Sequence, residues 1–448
     1  MSFPRKLAYS SGNLAALLSY QAFVTYIQFF YIDTLKLPAM LVATIGWTVY
    51  GIWNAINDPL AGQLSDRTRT RWGRRIPYIL FCTLPLAITF ALLWLPPFRV
   101  ENGQAGPLFA WFLIFVLLFD GLWTVVVLNW TALFPEMFPS LKERTQVSGL
   151  RQVFSVIGLL LGVALPPMLY SSIGWGAMGI LFAVIVALFF FISLLGSREK
   201  KEFSRESLPL GAALRATLKN RSFLTFVGAN IFIQFAFLIL PATVPFYAKY
   251  VLNADAGGTS ALLAALFVVA MLLLFPWMKV VVRLGARKAL MAACLLFAAP
   301  WLAFQVIGDF TGALIGMVAA AVGLAGLLLL LDILVSDIID EDELATGARR
   351  EGMYFGINGL LIRLGFVLQG WVMGTVLTVT GYVPGVAQSP SAIAGLKLLM
   401  SYVPVVGLIG AFICLIFYPL HGARLAQVKE QVAKLHEEKA KKAEQPSQ

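Results

Sequence analysis

A chain of 448 residues in which 59% are apolar and 13% are charged cannot present a soluble surface to water, but it suits a protein that crosses a bilayer many times. The formal net charge of +11 arises from Lys and Arg in short loops between apolar runs. That is the positive-inside distribution and not a nucleic-acid footprint, so a DNA- or RNA-binding role is excluded. Cys82, Cys294 and Cys414 lie far apart inside apolar runs, which indicates neither a disulfide framework nor a metal site.

Read in chain order, the opening Met1-Ser2-Phe3-Pro4-Arg5-Lys6 lacks a small-residue cleavage site, so the first span itself is expected to serve as the insertion signal. Windows of about 20 apolar residues, the length that crosses a hydrocarbon core of about 30 Å, predict spans near 10–32, 40–62, 76–97, 107–134, 149–171 and 174–195. A basic connector over 197–221 follows. Further spans are predicted near 222–251, 259–281, 288–307, 311–335, 352–381 and 396–420, before a charged, helix-prone tail over 421–448 expected to be solvated or interfacial. The runs are too long and continuous for a membrane barrel, so the fold is all-α.

Loops on the side of both termini hold nearly all the Lys and Arg, whereas the opposite loops carry Lys36, Arg99, Lys249 and Lys397. Both termini are therefore expected to be cytoplasmic, in a multi-pass protein of the cell inner membrane. A bundle over 1–196, the connector, and a second bundle over 222–420 fit the twelve-helix major facilitator architecture, in which two halves rock about a midplane site. Arg283-Leu284-Gly285-Ala286-Arg287-Lys288 after the eighth span echoes the basic loop after the second. Nothing in the pattern demands more than a monomer.

A carboxylate in a membrane span is costly and marks a functional site by default. In Asn54-Ala55-Ile56-Asn57-Asp58-Pro59, residues Asn54, Asn57 and Asp58 fall within about 100° of one helix face, so two amide oxygens and a carboxylate can converge on a hard cation. Asp58 can equally act as a proton carrier, or pair with an arginine to hold the halves together. The loop that follows, from Gly62 and Asp66-Arg67 to Arg74-Arg75, sets topology by its charge and is a candidate gate. Glu143, Arg144, Asp337, Asp340 and Arg349-Arg350-Glu351 lie at inner helix ends, as gate ion pairs or as solvated charges.

On the fourth span Asp120, Thr124, Val127 and Thr131 form one stripe, with Trp123 and Trp130 beside it as stacking surface for a sugar ring. Asp120 either lines a cavity or pairs with a nearby arginine. On the eleventh span Arg363 lies too deep to reach water easily, among Gly352, Gly356, Gly359, Gly365 and Gly370. Tyr20, Tyr26, Gln28, Gln234, Tyr354 and Asn358 are polar exceptions among apolar neighbours. Both histidines, His421 and His436, lie beyond the last span, so any transported proton must ride on carboxylates.

The stretch Trp53-Asn54-Ala55-Ile56-Asn57-Asp58-Pro59-Leu60-Ala61-Gly62, followed by Thr68-Arg69-Thr70-Arg71-Trp72-Gly73-Arg74-Arg75-Ile76-Pro77, resembles the glycoside-pentoside-hexuronide:cation symporters of the major facilitator superfamily. The resemblance extends through Lys142-Glu143-Arg144-Thr145-Gln146, Arg151, Asp337-Ile338-Ile339-Asp340-Glu341-Asp342-Glu343 and Gly381-Tyr382-Val383-Pro384-Gly385-Val386. It implies a cation site of two carboxylates one turn apart, of which Asp58 matches the second while Asn54 stands at the first. One carboxylate instead of two favours a proton over sodium as the coupled cation. The family's sugar-binding acids align with Leu14 and Val127, so a galactoside is not the expected solute.

Arg363 matches the family's cavity lysine, and with Arg151 it supplies planar donors suited to a carboxylate, sulfonate or phosphate. The alternative is that Arg363 pairs with Asp58 or Asp120 as a coupling counter-ion, and Asp332 is a further partner for it. The sequence thus predicts a cation-coupled symporter of a sugar, glycoside or acidic sugar derivative, working by alternating access on a small-molecule substrate without a cofactor. An amphiphile such as a lysolipid, an uncoupled facilitator and a channel are the rival readings. An intramembrane enzyme is not expected, since no nucleophile stands with a base.

Overall fold

Within hydrocarbon only a helix or a closed barrel satisfies its own backbone, and the long apolar runs of this chain become helices. The computed structural model describes residues 2–138, 140–199, 217, 219–346 and 350–444, with no strand among them. In chain order the helices are α1 (Phe3–Thr34), α2 (Trp47–Arg67, entered through the π-helical turns Met40–Gly46), α3 (Ile76–Leu93), α4 (Ala105–Met137), α5 (Leu141–Val163) and α6 (Trp175–Gly196). They continue with α7 (Arg221–Tyr250), α8 (Ala256–Leu284), α9 (Ala286–Ala303), α10 (Phe310–Thr346), α11 (Glu351–Val379), α12 (Pro390–Ile416) and α13 (Gly422–Glu444). Among the described residues, eleven helices are long and apolar enough to cross a membrane. Helix α2 is absent from that set because its polar face, with Asn54, Asn57 and Asp58, dilutes its hydropathy.

Helix starts follow their capping residues. Ser140 accepts from the Glu143 backbone N–H at 3.3 Å, with Glu143 itself at the third helical position, the sequence pattern of a capping box. Asn220 caps α7 at 3.0 Å and Asp255 caps α8 at 2.7 Å. The predicted fifth span breaks early, because Pro166 and Pro167 end one helix and open a short one, Pro166–Ser172. Helix α10 runs past its apolar window, so that Asp337 and Asp340 ride on its last turns instead of in a loop.

Helices α1 to α6 pack mainly among themselves and α7 to α12 likewise, the two groups meeting where α2 lies on α11, α1 on α7, and α5 with Pro166–Ser172 on α8. Small residues permit the closest of these approaches. A Cβ added at Gly370 would stand 2.2 Å from the Ala43 carbonyl oxygen, and one at Gly374 would stand 2.2 Å from Thr44 Oγ1. Away from the termini the groups are also latched by polar contacts. Asp33 on α1 accepts from Lys249 Nζ and from Tyr382 Oη, each at 2.5 Å, and from the Tyr250 hydroxyl, while Gln28 meets Gln369 at 3.0 Å. Toward the face where α1 begins the same helices part: a Cβ at Gly62, Gly356 or Gly359 would meet nothing within 4 Å. The cleft between the groups therefore opens on the terminal face.

The tail forms the helix expected of it, but one packed on the bundle and not freely solvated. Helix α13 docks on the end of α10, with Lys429 on Asp337 at 3.0 Å, Arg424 on Glu341 at 2.6 Å, and Val428 and Val432 buried beneath it.

Candidate functional site

Helix α2 presents Asn54, Asn57 and Asp58 on one side, as the helical period requires, but not toward a common ion. Asn54 donates from Nδ2 to Asp120 Oδ1 at 2.6 Å, and Asn57 donates from Nδ2 to Asp120 Oδ2. Both amides thus offer N–H groups to a carboxylate of α4, and their own oxygens, buried, have no hydrogen-bond partner among the described residues. Asp58 turns the other way and accepts from Arg363 Nη2 of α11 at 2.9 Å. The expected convergence of two amide oxygens with Asp58 is replaced by two linked centres, because Asp120 is fully buried and draws the available donors to itself. Pro59 adds to the polarity of this turn, since it has no N–H to give the Ala55 carbonyl.

The Asp58–Arg363 pair spans the two helix groups. Arg363 is mostly buried while the Asp58 side chain is 39% exposed, so one edge of the pair faces the cleft. Arg363 Nε is buried and carries no hydrogen-bond partner among the described residues. The charge of Arg363 also acts on Asp120, Tyr20 and Tyr50. Asp332, proposed as another partner for Arg363, makes no ion pair among the described residues.

The candidate residues of α4 fall into two groups. Asp120 and Thr124 stay at the α2 contact, where Thr124 Oγ1 is buried without a partner among the described residues, and the Trp123 ring packs tilted at 32° against Tyr20 with centroids 4.9 Å apart. Trp130 is 1% exposed and sandwiched between Tyr9, 5.1 Å away, and the Arg151 guanidinium, 4.7 Å above its ring. It is a core side chain and offers no surface to a sugar. Arg151 is held by that ring and by Asn13 Oδ1 at 3.3 Å, and it makes no contact with Arg363 among the described residues, so the two guanidiniums do not form one anion site. Asn358 accepts from Asn230 at 3.0 Å and stays half-buried. Tyr26, Gln28 and Tyr354 are buried structural side chains: Tyr26 donates to the Val163 carbonyl, Gln28 joins Gln369, and Tyr354 accepts from Asn220 at 3.3 Å.

At the terminal face the basic loop pairs within its own group and not only for topology. Arg74 Nη2 lies 2.8 Å and Arg75 Nη1 3.0 Å from Glu136 of α4. The Glu199 carboxylate takes the backbone N–H groups of Arg74 and Arg75, each at 2.9 Å, in front of the first turn of α3, where an anion is favoured. This needs a glycine, because Gly73 has φ of 105° and a Cβ there would sit 2.2 Å from Glu199 Oε2. Glu143 pairs with Lys6 at 3.0 Å, Arg144 donates to the Phe138 carbonyl at 2.7 Å, and Arg350 grips Asp342 through two bonds. Gly62 stands clear of neighbours. The side chains of Asp66, Arg67 and Glu351, Arg349 as a whole, and most of the connector lie outside the described residues.

Glu136, Glu199 and the Asp33 latch escaped the sequence reading. Glu136 and Asp33 do carry a signal, an acid at the end of an apolar helix, but only the fold shows which bases they meet.

Residues 8–422 match the family model described as MFS/sugar transport protein. The chain is 27% identical to the isoprimeverose transporter of Lactiplantibacillus pentosus, over 92% of this chain and 88% of that protein. It is 26% identical to a putative sulfoquinovose importer of Escherichia coli (strain K12), over 96% and 94%. It is 24% identical to the sodium-dependent lysophosphatidylcholine symporter 1 of Mus musculus, over 98% and 89%. In fold it is similar to a bacterial homologue of the human lysosomal transporter Spinster in an inward-facing and unoccupied conformation, with TM-score 0.69 at 15% identity, covering 96% of this chain and 99% of that one. These matches agree with the all-helical fold and with the family resemblance read from the sequence. This chain is a multi-pass membrane transporter, not an enzyme, and belongs to the MFS/sugar transport protein family.

Proposed function

We propose that the protein is a proton-coupled symporter of an acidic sugar derivative, a uronide or sulfonated sugar, working as a monomer with cytoplasmic termini in the cell inner membrane. Helix α2, with its entry turn, is then the twelfth crossing. The observation that carries the reading is the 2.9 Å pair of Asp58 and Arg363 between the two helix groups. Arg363 keeps Nε free of any described partner, so an incoming carboxylate or sulfonate can dock on the guanidinium fork and displace Asp58. A half-buried carboxylate stripped of its counter-ion is unfavourable, and a proton restores neutrality at once. Solute and proton then load together, and the neutral site is free to pass through an occluded state. Sodium would demand that Asn54 and Asn57 turn their oxygens inward, at the expense of both bonds to Asp120.

The similarity to a lysophosphatidylcholine symporter keeps an amphiphilic solute as the second reading. Uptake into vesicles of a radiolabelled glucuronide, its neutral glycoside and a lysolipid, under an imposed proton or sodium gradient, separates the two. The glucuronide should accumulate with the proton gradient and show saturable counterflow. Accumulation of the lysolipid alone overturns the sugar-acid reading, and accumulation with sodium alone overturns the proton.

A further inference from the structure

Between α8 and α9 the chain turns at Gly285, whose φ of 77° suits a residue without a Cβ, and this turn delivers Arg287 and Lys288 to the terminal face. The first turns of α13 come down opposite. A cavity of about 520 Å³ remains between the two, with Leu284, Leu334, Leu420 and Leu425 forming its apolar wall. Arg287, Lys288, His421, Lys429 and Asp337 supply its polar groups.

The charges in this cavity do not balance. Asp337 is already neutralised by Lys429 at 3.0 Å. Arg287 gives Nε to the Leu415 carbonyl at 2.8 Å and Nη2 to the Ile416 carbonyl at 2.6 Å, which caps the end of α12 but leaves the cation without an anion among the described residues. Lys288 makes no ion pair among the described residues, and Arg283 stands one turn away on α8. The nearby Arg424 is already spent on Glu341. Partial burial, together with the Arg287 and Lys288 charges, holds the His421 imidazole below its ordinary range, a second sign of surplus positive potential. The rim is apolar at Leu284, a lining residue that is itself exposed, and the chain just before the lining residues of α8 and of the α12 end carries the exposed side chains of Val282 (86%) and Phe417 (60%). A soluble anion would have no use for that rim, whereas acyl chains would.

We propose that this cavity binds the phosphate of an anionic membrane lipid, with Arg287 and Lys288 facing the headgroup and Val282, Leu284 and Phe417 meeting its chains. Such a lipid clamps the α8–α9 turn to the tail helix at the mouth of the carboxy-terminal group. It acts away from the Asp58–Arg363 centre and does not depend on what that centre carries.

The test uses the full-length protein in detergent, titrated separately with dihexanoyl phosphatidylglycerol, dihexanoyl phosphatidylcholine and inorganic phosphate, with binding read by native mass spectrometry. Phosphatidylglycerol should bind in preference to phosphatidylcholine. Lys288→Gln, at an exposed position, should weaken that binding about fivefold. Lys288→Arg should restore it, and Lys397→Gln, which lies outside the cavity, should leave it unchanged. Equal retention of the two lipids, or full retention by Lys288→Gln, overturns the proposal. Inorganic phosphate binding as tightly as phosphatidylglycerol also overturns it, by assigning the cavity to a soluble phosphate.

Discussion

One hydrogen bond joins Asp58 to Arg363, and its strength decides how solute and cation communicate. A charge-assisted bond of this kind is worth about 1.5–3 kcal/mol when desolvated, and less here because Asp58 is 39% exposed. A solute anion bringing two such bonds can therefore displace Asp58. Asp58→Asn removes the charge that needs a proton while leaving Arg363 available. Vesicles with Asp58→Asn should keep counterflow of the solute and lose accumulation driven by a proton gradient; accumulation that persists would remove Asp58 from the coupling step. Arg363→Ala should raise the half-saturating solute concentration by about tenfold or more, read in the same counterflow assay. Both residues were legible in the sequence, because a charge inside a long apolar run has few innocent explanations. Their partners were only partly so. Helical period places Asn54 and Asn57 on one face, yet whether they turn N–H or C=O inward depends on Asp120, 66 and 63 residues away. Trp130 misled for the same reason, since a stripe on α4 does not reveal that Tyr9 and Arg151 cover a ring beside it.

At the scale of elements, α1 and α7 are joined at the ends remote from the termini by the Asp33 carboxylate, which gathers Lys249, Tyr250 and Tyr382. Asp33 is almost fully buried and Lys249 is 44% exposed, so the ion pair is partly screened while the tyrosine bonds are not. Opening the far side must break all three bonds and the Gln28–Gln369 contact at once. Asp33→Asn keeps a hydrogen-bonding group but loses the charge, and should shift the balance toward the state open on the face remote from the termini by about 1 kcal/mol, near fivefold in population. Spin labels on the ends of α1 and α7 remote from the termini would report this as a larger long-distance fraction in pulsed electron resonance; an unchanged distribution would deny the latch its role. The all-helical fold and most of its apolar spans could be read from hydropathy, because length and composition suffice for that, whereas the polar face of α2 keeps that helix out of the eleven that composition alone picks out among the described residues. The latch could not, since Asp33 and Lys249 lie 216 residues apart at the ends of apolar runs, where each looks like an ordinary interfacial charge.

For the whole molecule, the informative asymmetry lies along α11. Gly370 and Gly374 are pressed against the entry turns of α2, while Gly356 and Gly359, several turns nearer the terminal face, have open space where a side chain would go. If α2 and α11 rock about the Asp58–Arg363 level, the open glycines are the ones that must be approached when the terminal face closes. A side chain begun there meets no atom within 4 Å of its Cβ in the present conformation, and replacing glycine within a helix stabilises it by up to about 1 kcal/mol. Gly359→Trp should therefore fold with an unchanged or slightly raised Tm and still fail in counterflow, because the cleft can no longer close on its terminal side. Gly370→Trp should do the opposite: its Cβ alone would fall 2.2 Å from the Ala43 carbonyl oxygen, so a loss of expression or a lower Tm is expected before any effect on transport. If Gly359→Trp transports normally, α2 and α11 do not approach one another on that side, and closure must be carried by other helices.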